Sequence, residues 1–442
     1  MEKSPNIAQI LQKLEIEKLN LMQEAAHKAI LSERDVFLLS PTGSGKTLAF
    51  LLPIFQLLSK QITGIQCLII SPTRELAIQI ESVWKKMGSG YKINACYGGH
   101  DMTTEIQNLK TAPAILVGTP GRISDHIERK TIELENINIL VLDEFDKSLA
   151  MGFEEEMSYV VGKLKNLQKR VMVSATAKVQ LPKFMGEIKP KVLNFTLEEE
   201  KTTDQLQLKT IISEQKDKIE RLYELLCFIG SESTLIFCNH REATERTVAL
   251  LKEKGIESIA FFHGGMEQLD RERALIQFRN GSHTFLVATD LAARGLDIPE
   301  VKHVVHYHFP LKREEFIHRN GRTARMNAEG NSYLLLYRNE PNPDYLGRLP
   351  ELLDFSINPL APLASEWSTL YISGGRKDKL NKVDIVGFLS KKGELEKGDL
   401  GLIEVMDFMS FVAVKKLKIN NLLKKISAEK MKGKKYKIEL AK

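Results

Sequence analysis

Ten short apolar runs, set between segments of helical period, constrain the fold of this chain more than any other feature. Five lie early: Asp35–Leu39, Cys67–Ile70, Ala114–Val117, Ile139–Leu142 and Arg170–Val173. Five more follow at Thr234–Phe237, Ser258–Phe261, Thr284–Val287, Val301–Val305 and Ser332–Leu336. Runs this continuous read as strands buried on both faces, and the intervening helices make them parallel. Two series predict two α/β domains, separated by the polar stretch Thr196–Asp204. A second break, Asn339–Glu366, carries five prolines. Beyond it, strands at Leu370–Ile372, Leu402–Val405, Ser410–Val414 and Tyr436–Leu440, with helices over 382–391 and 420–430, predict a small α+β domain of order βαββαβ. The expected limits are 1–197, 205–345 and 368–442, with 346–367 as a linker.

Composition adds exclusions. Hydrophobic residues at 43% and charged residues at 27% exclude a wholly disordered or collagen-like chain. The sequence has no apolar run of ~18 residues, so no membrane span is expected. Met1–Pro5 lacks an apolar signal core, and the four scattered cysteines form no Cys-x-x-Cys pair. Both features point to a reducing cytoplasm. The net charge of +6 is uneven: Lys415–Lys442 holds 11 lysines against Glu429 and Glu439, which leaves the rest of the chain acidic. A local basic excess of this kind suits either nucleic acid or a solvating tail.

The strongest motif is Ser40-Pro-Thr-Gly-Ser-Gly-Lys-Thr47, which follows an apolar strand and opens an apolar helix. That setting is what a P-loop requires, although the strict pattern begins with Gly and position 40 is Ser. Thr42, Gly43, Ser44 and Gly45 form the loop, whose glycines let backbone N–H groups close around phosphate. Lys46 brings a full charge to the β- and γ-phosphates of ATP, and Thr47 offers a hydroxyl to Mg²⁺. A P-loop also needs a carboxylate at the end of a neighbouring strand. Ile139–Leu142 ends in Asp143 and Glu144. Asp143 is expected to hold Mg²⁺, and Glu144 to deprotonate the attacking water, which makes the reaction hydrolysis.

In the second series, His318-Arg-Asn-Gly-Arg-Thr-Ala-Arg325 spaces arginines three residues apart, as on one helical face. Like charges so placed call for an anion. Arg322 and Arg325 are expected to act as arginine fingers on the γ-phosphate, with ATP drawing the two domains together.

Taken in order, these motifs resemble those of the superfamily 2 DEAD-box RNA helicases over about Leu19–Leu336. Ser40–Thr47, Pro72–Leu76, Thr119–Arg122, Asp143–Asp146, Ser174–Thr176, Gln268–Arg271, Ala288–Asp297 and His318–Arg325 each match a family motif. The resemblance implies two RecA-like domains and an RNA-dependent ATPase that unwinds short duplexes locally. By the same resemblance Gln23 reads adenine and Asp297 meets the ribose. Thr73, Arg74, Gly99, Thr119 and Arg122 hold RNA on the first domain. Gly264, Gln268, Arg271, Thr289 and Arg294 hold it on the second. Asp146, Ser174, Thr176 and His318 couple the nucleotide to RNA. Three departures stand out: Phe145 replaces the Ala of the DEAD name, Ala324 replaces a common Gly, and Asn6 and Ile7 stand where an adenine-stacking aromatic is usual.

The C-terminal stretches Thr369–Lys379, Val383–Gly387, Phe411–Val414 and Lys430–Lys437 resemble an RRM-like RNA-binding domain of the DbpA type, found in bacterial ribosome-assembly helicases. This implies tethering to 23S rRNA in pre-50S particles by a cytoplasmic monomer. Arg376, Lys377 and Lys379, with Lys432, Lys434 and Lys435, could form one basic rim. Tyr371 and Phe411 fall on central strands, where aromatics of RRM modules stack bases or else face the core. Two rival functions remain open on the sequence: an RNA clamp that no longer hydrolyses ATP, and a DNA-directed motor.

Overall fold

The computed structural model describes residues 5–41, 43–99, 101–175, 181–196, 206–290, 301–323, 330–355, 362 and 364–441. Thr42, Thr176, Arg294, Asp297, Ala324 and Arg325 lie outside the described residues. Two compact units divide the chain, the second beginning after the polar stretch that follows Asn194.

The first unit is built on seven strands: β1 (Asp35–Leu39), β2 (Cys67–Ile70), β3 (Ile93–Cys96), β4 (Ile115–Gly118), β5 (Ile139–Leu142), β6 (Lys169–Ser174) and β7 (Lys191–Asn194). All pair in parallel, in the order β3-β4-β2-β5-β6-β1-β7. Helices cover both faces, giving two apolar layers, one on each side of the sheet. The expected strands are all present. Two edge strands, β3 and β7, escape an apolar-run reading because an edge strand is partly exposed; Val192 in β7 is an exposed apolar residue.

The second unit carries β8 (Leu206–Ser213), β9 (Thr234–Cys238), β10 (Ile259–Phe262), β11 (Phe285–Thr289), β12 (His303–His306) and β13 (Gly330–Tyr337). They too are parallel, in the order β10-β11-β9-β12-β13-β8. Within the segment expected as linker, residues 350–355 run along the edge strand β8. Thr210 donates its N–H to Glu351 and accepts from Leu353, both at 2.8 Å. Phe355 is buried against Phe228 and under the Arg221 guanidinium.

The same unit holds an antiparallel sheet of β14 (Trp367–Ile372), β15 (Leu400–Val405), β16 (Ser410–Lys415) and β17 (Ile438–Leu440), in the order β15-β16-β14-β17. Helices Lys382–Lys391 and Ile419–Ile426 complete the expected βαββαβ order. They cover one face, packing on Leu370, Ile372, Ile403, Val412 and Val414. Among the described residues no helix is long and apolar enough to cross a membrane. Cys67, Cys96 and Cys238 are buried free thiols.

Phe145, the departure from Ala, is the first residue of a short helix and is fully buried. Its ring lies 5.6 Å from that of Phe37 on β1 and belongs to the lower apolar layer. Here the ring fills core volume and leaves the neighbouring acids at the sheet edge. Phe145→Ala is therefore expected to destabilise the first unit by roughly 3 kcal/mol. A fall in its thermal midpoint, read by calorimetry, checks this; an unchanged midpoint means the neighbours collapse into the space.

Candidate nucleotide and RNA sites

Parallel strands place every strand's end on one edge, and in open α/β sheets ligands bind outside that carboxyl edge. In the first unit this edge divides into two halves. The loops after β1, β5 and β6 carry the P-loop, Asp143–Glu144 and Ser174. The loops after β2, β3 and β4 carry Thr73–Arg74, Gly99 and Thr119–Arg122.

The P-loop wraps before the helix Lys46–Leu57. Gly43 and Gly45 both have φ of 85°, a left-handed conformation that side chains resist. A Cβ on Gly45 would also stand 2.4 Å from Gln23 Nε2. Lys46 is buried, and its Nζ donates to the carbonyls of Ser40 and Pro41, both at 2.8 Å. The Ser40 hydroxyl donates to Ser44 Oγ at 2.7 Å, and Ser44 Oγ donates to Pro41 O at 2.8 Å. The Ser at position 40 thus knits the loop. Gln23 is committed at both ends of its amide: Oε1 accepts from Asn20 N at 3.0 Å, and Nε2 donates to Gly45 O at 3.3 Å. Asn6, at the usual place of a stacking aromatic, caps the helix Ile7–Lys13 instead.

β6 lies between β1 and β5, so Ser174 sits between the P-loop and the acid pair; its carbonyl accepts from Ser40 N at 3.1 Å. Asp143 and Glu144 are both buried. Glu144 has φ of 47°, a strained conformation for a residue with a side chain. Lys147, one turn on, is buried too, and its Nζ lies 2.6 Å from Glu144 Oε2. Lys147 was not among the expected site residues; its i, i+3 spacing from Glu144 was the available signal.

Burial, and then the Glu144 charge, push the Asp143 carboxyl up to about 7. Burial brings the Lys46 ammonium down to about 8, against the attraction of Glu144. Both groups are thus poised to gain from a ligand that favours their charged forms. The buried Asp143 carboxylate and the half-buried Thr47 hydroxyl, on loops of the same sheet edge, are oxygen donors suited to a hard cation, and a left-handed glycine loop beside an ammonium is a donor set for phosphate. These residues fit ATP with Mg²⁺.

On the other half, Thr73 caps the helix Arg74–Met87 through Leu76 N at 3.3 Å, and Thr119 precedes Pro120 at the start of the helix Pro120–Glu128. Gly99 has φ of 90°, and a Cβ there would stand 2.5 Å from Arg74 Nη1. Glu105, buried and unforeseen, braces this surface. Its carboxylate accepts from Arg122 Nε at 2.8 Å and Tyr97 N at 3.2 Å, and lies 2.9 Å from His126 Nε2. Cys96, Glu105 and His126 bring possible ligand atoms within 4.8 Å of one another, but Arg122 already occupies the carboxylate and burial pushes the Cys96 thiol up.

In the second unit, Gly264, Gln268 and Arg271 follow β10, and Thr289 ends β11. Gln268 and Arg271 are buried, the latter over the Phe262 ring. Arg319 and Arg322 do not share one helix. The helix Arg313–Asn320 carries His318 but stops before Arg322, which lies in the following turn and is buried. Asn320-Gly321 ends the helix, a stop the three-residue spacing conceals. Arg319 is fixed by Asp290 at 2.7 Å and Asn239 at 2.9 Å, and so serves the fold of these loops.

In the antiparallel sheet, Tyr371 and Phe411 pair across β14 and β16 on the face opposite the helices. That face is not open. The end of helix Gln268–Arg279 and the turn after it sit on it: Asn280 Nδ2 donates to Thr369 Oγ1 at 2.8 Å, Arg279 lies 3.2 Å from Glu404, and Gln277 Nε2 donates to Ala441 O at 3.1 Å. Of the two places left open for these aromatics, Phe411 takes the buried one, while Tyr371 is half-buried. Arg376, Lys377, Lys379, Lys432, Lys434 and Lys435 remain exposed.

Family models match three stretches: DEAD/DEAH box helicase over residues 20–184, helicase conserved C-terminal domain over 217–327, and DbpA RNA binding domain over 369–440. The ATP-dependent RNA helicase DbpA of Escherichia coli (strain K12) is 33% identical, covering 95% of this chain and 94% of that protein. DbpA of Bacillus subtilis (strain 168) is 29% identical over 99% and 98%. Among solved structures, S. cerevisiae Dbp5 bound to RNA and ADP BeF3 matches 75% of this chain and 88% of its own, with TM-score 0.66 and 26% identity. The DEAD-box helicase Mss116 bound to ssRNA and UDP-BeF matches 76% and 73%, with TM-score 0.68 and 29% identity.

The shifted Asp143 has a consequence for stability. Folded, it keeps its proton up to about pH 7; its ordinary value is 3.8. Ionising it in the folded state therefore costs stability, nothing below about pH 4 and the full amount above about pH 7. Asp143→Asn removes that cost. Its stability gain over wild type, measured by urea unfolding without nucleotide, is expected to grow from pH 5 to pH 8, to the order of 2 kcal/mol. A gain that shrinks with rising pH would contradict the assignment.

Proposed function

This chain belongs to the DEAD-box ATP-dependent RNA helicases of the DbpA type, RNA-dependent ATPases, and we propose that it acts on 23S rRNA in pre-50S ribosomal particles. The observation that carries the proposal is the third sheet domain, matched over 369–440 by the DbpA RNA binding domain and edged with exposed lysines and arginine. Tethering there raises the effective concentration of the motor domains at a neighbouring helix. Linking two binding modules in this way is worth about 100-fold or more in avidity. The chain works as a cytoplasmic monomer in this reading.

The roles proposed for individual residues follow the family motifs. Thr42, Gly43, Ser44, Gly45 and Lys46 cradle the phosphates, with Gln23 at the adenine and Asp297 at the ribose. Thr47 and Asp143 hold Mg²⁺, which supplies charge neutralisation on the phosphates. Glu144 takes a proton from the attacking water, and Lys147, whose Nζ lies 2.6 Å from Glu144 Oε2, keeps its carboxylate aimed. Arg322 and Arg325 bring positive charge to the γ-phosphate. Thr73, Arg74, Gly99, Thr119 and Arg122, with Gly264, Gln268, Arg271, Thr289 and Arg294, hold the RNA backbone through groups that contact phosphate and 2′-OH without reading bases. Asp146, Ser174, Thr176 and His318 couple the nucleotide to the RNA. Phe145 leaves all three acids in place, which favours hydrolysis over a passive clamp.

The intact protein should reach half-maximal ATPase at a concentration of 23S rRNA about 100-fold lower than of unrelated RNA. Removing residues 368–442 should erase that preference while leaving turnover at high RNA. Equal stimulation of the intact protein by all RNAs would overturn the proposed substrate.

A further inference from the structure

The end of helix Gln268–Arg279 packs on the outer face of the antiparallel sheet, with Phe411 fully buried and Tyr371 half-buried, so the usual aromatic pair for bases is partly covered. The structure offers another at the end of the sheet. β15 turns into β16 through Met406–Met409, where Met406 N donates to Met409 O at 2.8 Å. At the tip of this turn stands Phe408, 58% exposed and outside the apolar clusters of the described residues. A lone exposed apolar side chain means little by itself. This one sits beside the basic loop 373–379. Arg376 N donates to Met406 O at 2.8 Å and Lys377 N to Asp407 O at 2.9 Å, so the loop is laid along the turn. The approach is tight: a Cβ on Gly375 would meet Met406 O at 2.2 Å, and one on Gly374 would meet the Tyr436 ring at 2.3 Å. The two glycines thus let a charged loop close on an aromatic tip. Acids also face this edge. Asp407 pairs with Arg376 at 3.7 Å, Asp378 with Lys434 at 2.5 Å and Glu439 with Lys437 at 2.7 Å. Lys379, Lys432 and Lys435 add positive charge, Lys432 being also 3.1 Å from Asp384, so the edge stays basic.

We propose that Phe408 stacks an unpaired nucleobase of bound RNA, whose phosphates lie along Arg376 and Lys377. This rests on the reading that the third domain binds RNA. Stacking recognises a flat base and a basic loop recognises a backbone; together they select a single-stranded or looped segment over a plain duplex.

The test uses the full chain and in vitro transcribed 23S rRNA, with equilibrium binding at several salt concentrations. Phe408→Ala should weaken binding roughly tenfold, the value of one stacked base, with the salt slope unchanged. Phe408→Tyr should restore it. Arg376→Gln should instead make the slope shallower by about 0.7, one phosphate contact to a single strand. Ultraviolet crosslinking followed by peptide mass spectrometry should find a nucleotide on the 406–409 turn of the wild type. Wild-type affinity in Phe408→Ala, or a loss that Phe408→Tyr does not recover, would overturn the stacking site. If deletion of 368–442 also leaves 23S rRNA binding untouched, the RNA role of the whole domain falls with it.

Discussion

An ammonium ion buried at the carboxyl edge of a parallel sheet is the constraint on which the rest depends. Lys46 has left water, and two P-loop carbonyls and nearby carboxylates are what it has in exchange. Burying a charge is tolerated only when partners compensate it. The same burial keeps Asp143 reluctant to ionise. The edge therefore concentrates buried ionisable groups beside a left-handed turn at Glu144. Strain gathered at one edge of an otherwise well-packed sheet is the mark of a site prepared for a ligand.

Sheet order explains how that ligand can be felt elsewhere. β2 and β5 are neighbours, and Asp143 N donates to Ile70 O at 2.9 Å. The acid pair is thus hydrogen-bonded to the end of the strand that leads into Thr73 and Arg74. Ser71 N in turn donates to Gly118 O at 3.0 Å, just before Thr119. A shift at the nucleotide half has only rigid backbone through which to pass. Glu105 performs the same service locally, tying the loops after β3 and β4 through Tyr97 and Arg122.

Much of this was legible in the sequence because continuous apolar runs and a P-loop report local facts. The central strands, the Gly43–Gly45 cradle and the Asp143–Glu144 pair all follow from neighbours in the chain. The edge strands β3, β7 and β8 were not legible, since they mix polar and apolar residues. Nor was the stop at Asn320-Gly321, which takes Arg322 off the helix. Lys147 and Glu105 gain their meaning from what folds against them. Phe411 is the clearest case: its strand position was correct, but its cover comes from a helix more than a hundred residues earlier. No period in the sequence records such docking.

The domains thus share one logic, in which loops at the end of a sheet carry the chemistry while the faces are used for packing. The third domain follows it too, with its outer face partly covered and basic charges gathered at one end. The most direct measurement is phosphate release at saturating RNA and ATP by wild type and Glu144→Gln, with nucleotide affinity measured alongside. The expected result is near wild-type affinity and release slowed by at least about 100-fold, as loss of a general base requires. Release at the wild-type rate would contradict a water-activating carboxylate at this edge.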